Sequence, residues 1–326
     1  MKGLVSIIIP AFNAVEWLPD TLISASNQDL VEKEIIVIDD GSTDGTAEFV
    51  RDKWPQVRLV RTENKGASHA RNVGAEMARG DLVQYLDADD LLLTGKISRQ
   101  AQLLQKCGAD LAYGNWQRLV WQDAENRFIP GETIRRRFED VDPDPEIAFF
   151  TSMWCPTGAY LYRRQFLDRV LPWKEWLPVI QDARFAFDCA AASAVWCHDD
   201  CVGILYRQHS SGSVSSRDKK AFLQDCMANA RDVEFRWRAG SGWAPARHAA
   251  LLSTYSHLAR TAYETDRPLF AELYAKLNEL EPGYVPHGPL HLRWTSKLIG
   301  YERAEWIALH YRKLKLRRPS RARPAA

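Results

Sequence analysis

The sequence predicts a doubly wound, mostly parallel α/β sheet followed by a helical C-terminal extension, and three observations carry that expectation. Short apolar runs alternate with helical segments through Leu86, which calls for crossover connections and therefore parallel strands. Several of these runs end in acidic or polar residues, as strand ends facing a ligand crevice do. From Asp218 onward the pattern is helical almost throughout, broken at Gly240 to Gly242 and at Glu281-Pro282-Gly283.

Val5 to Ile9 reads as a buried strand ended by Pro10, followed by a helix from about Trp17 to Asn27 that tolerates Pro19 in its first turn. Glu34 to Ile38 is expected as the second strand. It releases Asp39 to Thr46, where Ser42, Thr43 and Asp44 can each cap the helix running to Lys53. A third strand, Val57 to Val60, leads through Asn64-Lys65-Gly66 into a helix from about Ser68 to Arg79, with Gly80 as its C′ residue. Leu82 to Leu86 then delivers Asp87, Asp89 and Asp90, and right-handed crossovers place the Pro10, Asp39 and Asp87 loops on one edge of the sheet. A helix from about Gly95 to Lys106 follows. Beyond it Leu111 to Tyr113, Gln117 to Trp121 and Phe128 to Ile134 read as shorter strands of an antiparallel extension, with Pro130-Gly131 as a turn. Asp142 to Pro145 opens another helix, Ala159 to Tyr162 returns as a strand, and a boundary is expected near Ser216.

The run Asp87-Ala88-Asp89-Asp90 carries the most chemistry. Three neighbouring carboxylates repel one another and raise their own proton affinity unless a cation or hydrogen-bond donors compensate. A divalent Mg2+ or Mn2+ answers that demand, since hard cations favour carboxylate oxygen and leave positions for substrate phosphates. A solvated turn leading into the next helix is the alternative.

Composition narrows the partners. The 326 residues are 46% hydrophobic and 26% charged with a formal net charge of +1, enough for a substantial core and no basis for general or specific nucleic-acid binding. The imbalance is local: after Glu305 there is no acidic residue, and Arg312, Lys313, Lys315, Arg317, Arg318, Arg321 and Arg323 are basic. This tail, 312–326, reads either as a solvated terminus or as a peripheral contact with anionic membrane lipid. No signal-like leader and no apolar stretch long enough to span a bilayer is found, so a cytoplasmic location is expected. Six dispersed cysteines suit reduced thiols.

Four segments taken together are more specific than any one of them. Ser6 to Asn13 (SIIIPAFN), Asp39 to Thr46 (DDGSTDGT), Asn64 to Asn72 (NKGASHARN) and Tyr85 to Asp90 (YLDADD) resemble, in order and spacing, the inverting family 2 glycosyltransferases of the GT-A fold, over roughly residues 4–215. The resemblance implies a catalytic domain over 1–216, its nucleotide-sugar half about 1–110 and its acceptor half about 111–216. The helical region 217–311 and the tail lie outside it. It implies a metal-dependent transfer of a sugar from a nucleoside-diphosphate donor, UDP foremost, to a hydroxyl of a glycan or lipid-linked saccharide acceptor.

On that resemblance Phe12, following Pro10, stacks on the base. Asp39 accepts a pyrimidine N3–H and Arg71 helps fix the base. Asp87 holds ribose or supports the metal, Asp89 ligates the metal, and Asp90 orders the turn. Asp40, Ser42 and Asp44 read better as helix caps than as ligand contacts. Val179 to Phe187 (VIQDARFAF) is similar to the family segment beginning with a Glu-Asp pair. This makes Asp182 the general base of a single in-line displacement, with Gln181 departing from the usual Glu; an N-cap role for Asp182 is compatible with that. Tyr206-Arg-Gln-His-Ser-Ser-Gly-Ser-Val-Ser215 resembles the family's Tyr-Arg-x-His loop. From it come His209 as a further metal ligand, Arg207 as a pyrophosphate partner, and Ser213 and Ser215 as hydroxyl donors beside Gly212.

Four other readings carry less. Cys197-His-Asp-Asp-Cys201 suggests zinc, but consecutive residues rarely converge into a tetrahedral set. Trp154, Trp173 and Trp176 suggest a sugar-stacking platform, or plain core. A nucleotidyltransferase would usually show a Gly-rich phosphate loop after the first strand, which Pro10 to Asn13 lacks; a non-catalytic glycan-binding or scaffold protein keeping the fold is favoured only by Gln181.

Overall fold

Val5, Ile7, Ile8 and Ile9 are almost wholly buried, and a continuous apolar run of this kind is what a strand covered on both faces requires. They belong to β1 (Leu4–Ala11), followed by α1 (Leu18–Ser26), β2 (Glu32–Asp39), α2 (Thr46–Lys53), β3 (Arg58–Arg61), α3 (Ala67–Met77) and β4 (Leu82–Tyr85). The structure is a computed structural model that describes residues 3–29, 32–209, 218–240, 243–286 and 290–316. The chain divides into two compact units, Met1–Asp218 and Lys219–Ala326.

In the first unit β3, β2, β1 and β4 lie side by side in that order and run parallel. The second half extends this sheet with β5 (Leu91–Leu92), α4 (Lys96–Cys107), β6 (Leu111–Gln122), β7 (Arg127–Ile134), α5 (Pro145–Thr151), β8 (Tyr160–Arg163), α6 (Arg164–Val170), α7 (Gln181–Ala191) and β9 (Trp196–Gln208). β8 joins β4 to β6, antiparallel to both, and β9 runs parallel to β6. The result is one mixed sheet of nine strands.

Several sequence expectations are corrected. Pro10 does not end the first strand; it lies inside β1, opposite Ile38 and one residue from the strand end, where a missing N–H costs little. Ser42, Thr43 and Asp44 do not occupy the N-cap of α2, which is Gly45 at φ 91°. Instead they hold the loop after β1: Asn13 N donates to Ser42 Oγ (2.9 Å), Thr43 N to Asn13 Oδ1 (2.8 Å) and Val15 N to Asp44 Oδ2 (3.0 Å), while Asp44 Oδ1 still takes the N–H of Thr46, the first residue of α2 (3.0 Å). Asp40 likewise ties the entry to α3, accepting from Lys65 N and Gly66 N at 3.0 and 2.7 Å. Gly80 is not a left-handed C′ residue. A Cβ there would stand 2.6 Å from Ser6 N and 2.7 Å from Leu4 O, so a close backbone crossing requires glycine.

Pro130-Gly131 is not a turn either. The two residues sit within β7, at a register shift against β6, and the turn of that hairpin falls at 123–126. The Cys197 to Cys201 stretch is a strand with an irregularity, as the pairing of β9 with β6 slips between Gly114 and Trp116. Cys197 Sγ turns inward to Leu111 O (3.6 Å), Cys201 is exposed, and His198 Nδ1 meets Asp200 Oδ1 at 3.1 Å. The two cysteines therefore do not converge with His198 and Asp200 on one point. Lys96 is buried between strands, where Nζ donates to Tyr160 O (2.8 Å) and Gln84 Oε1, and burial holds its ammonium well below the usual lysine range.

The second unit is helical: α8 (Lys219–Ala239), α9 (Pro245–Thr265), α10 (Arg267–Leu280), α11 (Leu290–Ile299) and α12 (Tyr301–Leu316). Leu223, Met227, Val233, Leu251, Leu258, Leu273 and Leu277 form part of its core. Glu234 is buried among them, reached by Tyr255 Oη (2.9 Å), Lys276 Nζ (2.9 Å) and Arg238 Nε (2.8 Å), so the buried charge is matched by donors. No helix among the described residues is long and apolar enough to cross a membrane.

Candidate active site

The strand order reverses between β1 and β4, the place where an open parallel sheet leaves a crevice outside its carboxyl ends. Phe12 leaves β1 there with half its surface exposed, open to a flat ligand. Asp39 ends β2 and is fully buried. Its Oδ1 accepts from Ser42 N (3.3 Å), while Oδ2 lies 3.2 Å from Arg61 Nε without forming a hydrogen bond. A nucleobase would meet this carboxylate only after Arg61 gives way.

The carboxylate turn after β4 is folded back by β5, which pairs antiparallel with Ile204 and Leu205 of β9. Asp90 is fully buried under it and takes the Arg207 N–H on Oδ1 (2.9 Å). Burial first, then the charges of Asp89 and Asp87, push its carboxyl well above the usual range. It therefore ties the turn to the end of β9. Asp87 is held by Arg71 Nη2 at 2.5 Å, and the Arg71 guanidinium lies over the Trp173 ring at 4.6 Å. Arg71 is thus a buried clamp on Asp87, and its Nε and Nη1 have no hydrogen-bond partner among the described residues.

Asp89 points the other way. Its Oδ2 meets His209 Nε2 at 2.9 Å, both side chains partly exposed. Two ligands bound side by side to one small octahedral cation at about 2.1 Å stand about 3 Å apart, so this pair fits a divalent metal. No group of three or more His, Cys, Asp or Glu able to hold a metal occurs among the described residues. The remaining positions would fall to phosphate oxygens and water, the usual state of a Mg2+ or Mn2+ site.

Arg207 is not left open for pyrophosphate, as the sequence suggested. Its Nη2 pairs with Asp20 Oδ2 (2.6 Å), Nη1 donates to Trp17 O (3.3 Å), and the guanidinium lies near the rings of Trp17 and Phe128. A buried fork already occupied on two sides has little left for a phosphate. Ser213, with Gly212 and Ser215, lies outside the described residues.

Asp182 is the second residue of α7 and not its N-cap, which is Ile180. Trp154 Nε1 donates to its Oδ2 at 2.6 Å and Ala183 N to its Oδ1 at 2.8 Å. Burial raises its carboxyl above the usual range, with Trp154, Ala183 and the Arg71 charge opposing and Asp87 adding to the rise. Gln181 Oε1 accepts from Ser68 Oγ (2.8 Å), tying α7 to α3, the helix that carries Arg71.

Two residues gain roles that their positions in the sequence do not signal. Trp154 was one of three tryptophans suggested for sugar stacking; it is instead a donor to Asp182, while Trp173 is core, stacked on Phe185 at 3.9 Å, and Trp176 keeps an exposed face. Tyr206 packs edge-on against Trp116 and Trp154. Burial, then the charges of Asp90, Asp87, Asp182 and Asp89, pushes its hydroxyl up; Trp154 touches both Tyr206 and Asp182, and one and three residues past Tyr206 Arg207 N holds Asp90 and His209 meets Asp89.

Known proteins resemble this chain in sequence and in fold. Residues 6–171 match the family model described as glycosyl transferase family 2. An uncharacterized glycosyltransferase of Haemophilus influenzae is 38% identical over 140 residues, 42% of this chain and 55% of that protein. The Escherichia coli enzyme named UDP-Glc:alpha-D-GlcNAc-diphosphoundecaprenol beta-1,3-glucosyltransferase WfaP is 37% identical over 116 residues, 35% of this chain and 46% of its own. The chain thus spans about half the length of these relatives. The crystal structure of S. aureus TarS 1-349 in complex with UDP-GlcNAc aligns at TM-score 0.64 and 16% identity over 95% of this chain and 91% of that one. The mannosyltransferase PcManGT from Pyrobaculum calidifontis, in complex with GDP-Man and Mn2+, aligns at 0.54 and 18% over 96% and 88%. Those two likenesses establish the GT-A fold, and the family match over half of the chain completes the assignment: the chain belongs to glycosyl transferase family 2.

Proposed function

We propose that the protein is an inverting glycosyltransferase that moves a sugar from a nucleoside diphosphate, UDP foremost, to a hydroxyl of a lipid-linked saccharide or growing glycan. The observation that carries this reading is the chain of contacts at the end of the last strand: Asp90 on Arg207 N, Asp89 beside His209, and Tyr206 against Trp154, which holds Asp182. The UDP-GlcNAc complex of one fold neighbour and the UDP-Glc donor named for the E. coli relative support the uridine donor. That relative's diphosphoundecaprenol acceptor supports a lipid-linked acceptor, and with it a cytoplasmic place at the inner face of a membrane.

Phe12 offers the base a stacking surface, and Asp87, oriented by Arg71, faces the ribose. Asp89 and His209 would hold Mn2+ or Mg2+, which when bound offsets the charge of the departing diphosphate. Asp182 takes the proton of the acceptor hydroxyl as that oxygen forms a bond to the anomeric carbon. The bond from that carbon to the diphosphate breaks with its electron pair leaving on the diphosphate, so the anomeric configuration inverts. Trp154 Nε1 and Ala183 N each hold one Asp182 oxygen, so the carboxylate is oriented before the acceptor arrives.

Release of UDP from UDP-sugars in the presence of Mn2+ tests the proposal. Asp182→Asn should lower kcat by roughly 100- to 10,000-fold, the usual contribution of a general base, and Asp89→Ala should remove the metal-dependent rate. Tight nucleotide-sugar binding with no turnover on any acceptor would leave a binding protein in place of an enzyme.

A further inference from the structure

The last two helices turn an apolar stripe outward. Gly300, at φ 84°, joins α11 to α12 in a backbone region that favours glycine. Tyr301, Ala304, Glu305, Ala308 and Leu309 are the buried side of α12. Its other side exposes Trp306 and Ile307, in register with Arg303 and His310 at spacings of three, four and seven. On α11, Trp294 and Leu298 are four residues apart and 65% and 79% exposed. Scattered single apolar residues on a surface need no explanation, whereas two tryptophans with aliphatic neighbours on successive helices do.

The exposed charges on these two helices are mostly basic. Arg293, Lys297 and Arg303 are exposed beside it, with Lys297 Nζ 6.0 Å from the Trp294 ring; Glu302 is the exposed acid among the described residues of α11 and α12. After Glu305 the sequence adds seven Lys or Arg and no acid. A second copy of this chain set against the stripe would bring these cations face to face. Anionic lipid would not: indole rings favour the headgroup level, aliphatic side chains reach the acyl boundary, and basic residues meet lipid phosphates.

We propose that α11 and α12 form a docking face for an anionic lipid surface, with Trp294, Leu298, Trp306 and Ile307 seated among the headgroups and Arg293, Lys297 and Arg303 on the phosphates. This deepens the membrane-side placement proposed above by making apolar insertion, and not the basic tail alone, the anchor.

The test is co-sedimentation of the full chain, without donor, with phosphatidylcholine vesicles that contain or lack phosphatidylglycerol. Binding should require phosphatidylglycerol and weaken by roughly tenfold or more in Trp294→Ser/Trp306→Ser. Both residues are exposed, so the melting temperature of the variant should not move. Amide exchange over 290–309 of the unaltered protein should slow on adding the vesicles. Binding unchanged in the double variant but lost when 312–326 is removed would overturn the proposal in favour of the tail. Self-association that depends on the two tryptophans, with no vesicle binding, would overturn it in favour of a second copy. UDP release is assayed separately, so loss of vesicle binding with turnover intact counts against the docking face alone.

Discussion

At the residue scale, the chemistry of Asp182 depends on a neighbour 28 positions away. An acceptor's proton can go only to the ionised carboxylate, and burial raises the Asp182 carboxyl above its ordinary range. Activity should therefore fall as pH drops through that raised value. Trp154 donates to the ionised form and opposes the rise, so Trp154→Phe should move the acid limb of kcat/KM to higher pH. The deficit should be largest at the acid end, roughly 10- to 100-fold for a charge-assisted hydrogen bond of about 1.5–3 kcal/mol, and shrink as pH rises. A uniform loss at every pH would mean that Trp154 serves packing only. Most residues of the crevice were legible because their motifs lie at strand ends in fixed spacing. Trp154 and the diversion of Arg207 to Asp20 were not, since each depends on a long-range contact that no local spacing encodes.

At the element scale, the parallel half of the sheet was readable because its buried strands are mostly apolar and separated by segments with a helical pattern. The second half was readable only in part: β6, β7, α5 and β8 were expected, and β9 was not. Nothing in the sequence marks Trp196–Gln208 as a strand, because His198, Asp199 and Asp200 interrupt its apolar pattern where its pairing with β6 slips. Pro130-Gly131 looks like a turn because strand interiors rarely contain either residue, yet the register shift opposite Leu119 accommodates them. α3 supplies a sharper test of packing. It lies against β1 at Gly74, where a Cβ would overlap Ile8 Cγ2. Gly74→Ala gains helix propensity of about 1 kcal/mol, but Ile8 is fully buried and cannot retreat without disturbing β1. Overpacking of this kind costs typically about 1–3 kcal/mol. The urea midpoint should fall with the slope unchanged; an increase in midpoint would show that α3 can move away from the sheet. The same helix positions Arg71 and Ser68, so kcat should fall with stability.

At the scale of the whole molecule, binding and chemistry can be separated. A nucleotide that binds only the native state raises its stability by about 2.7 kcal/mol at a hundredfold excess over Kd, which should appear as a rise in melting temperature. UDP should produce a larger rise with Mn2+ than with EDTA, because Asp89 and His209 supply two of the metal's positions and the diphosphate supplies others. In Asp89→Ala and His209→Ala the difference between Mn2+ and EDTA should vanish. In Asp182→Asn it should persist, since that carboxylate faces the acceptor and is held by Trp154 and Ala183. GDP in place of UDP gives the contrast that decides the base. An equal rise with both nucleotides would locate recognition in the diphosphate and metal alone, consistent with Asp39 remaining sealed behind Arg61. No rise with either would sink the donor assignment while leaving the fold and the family as they stand.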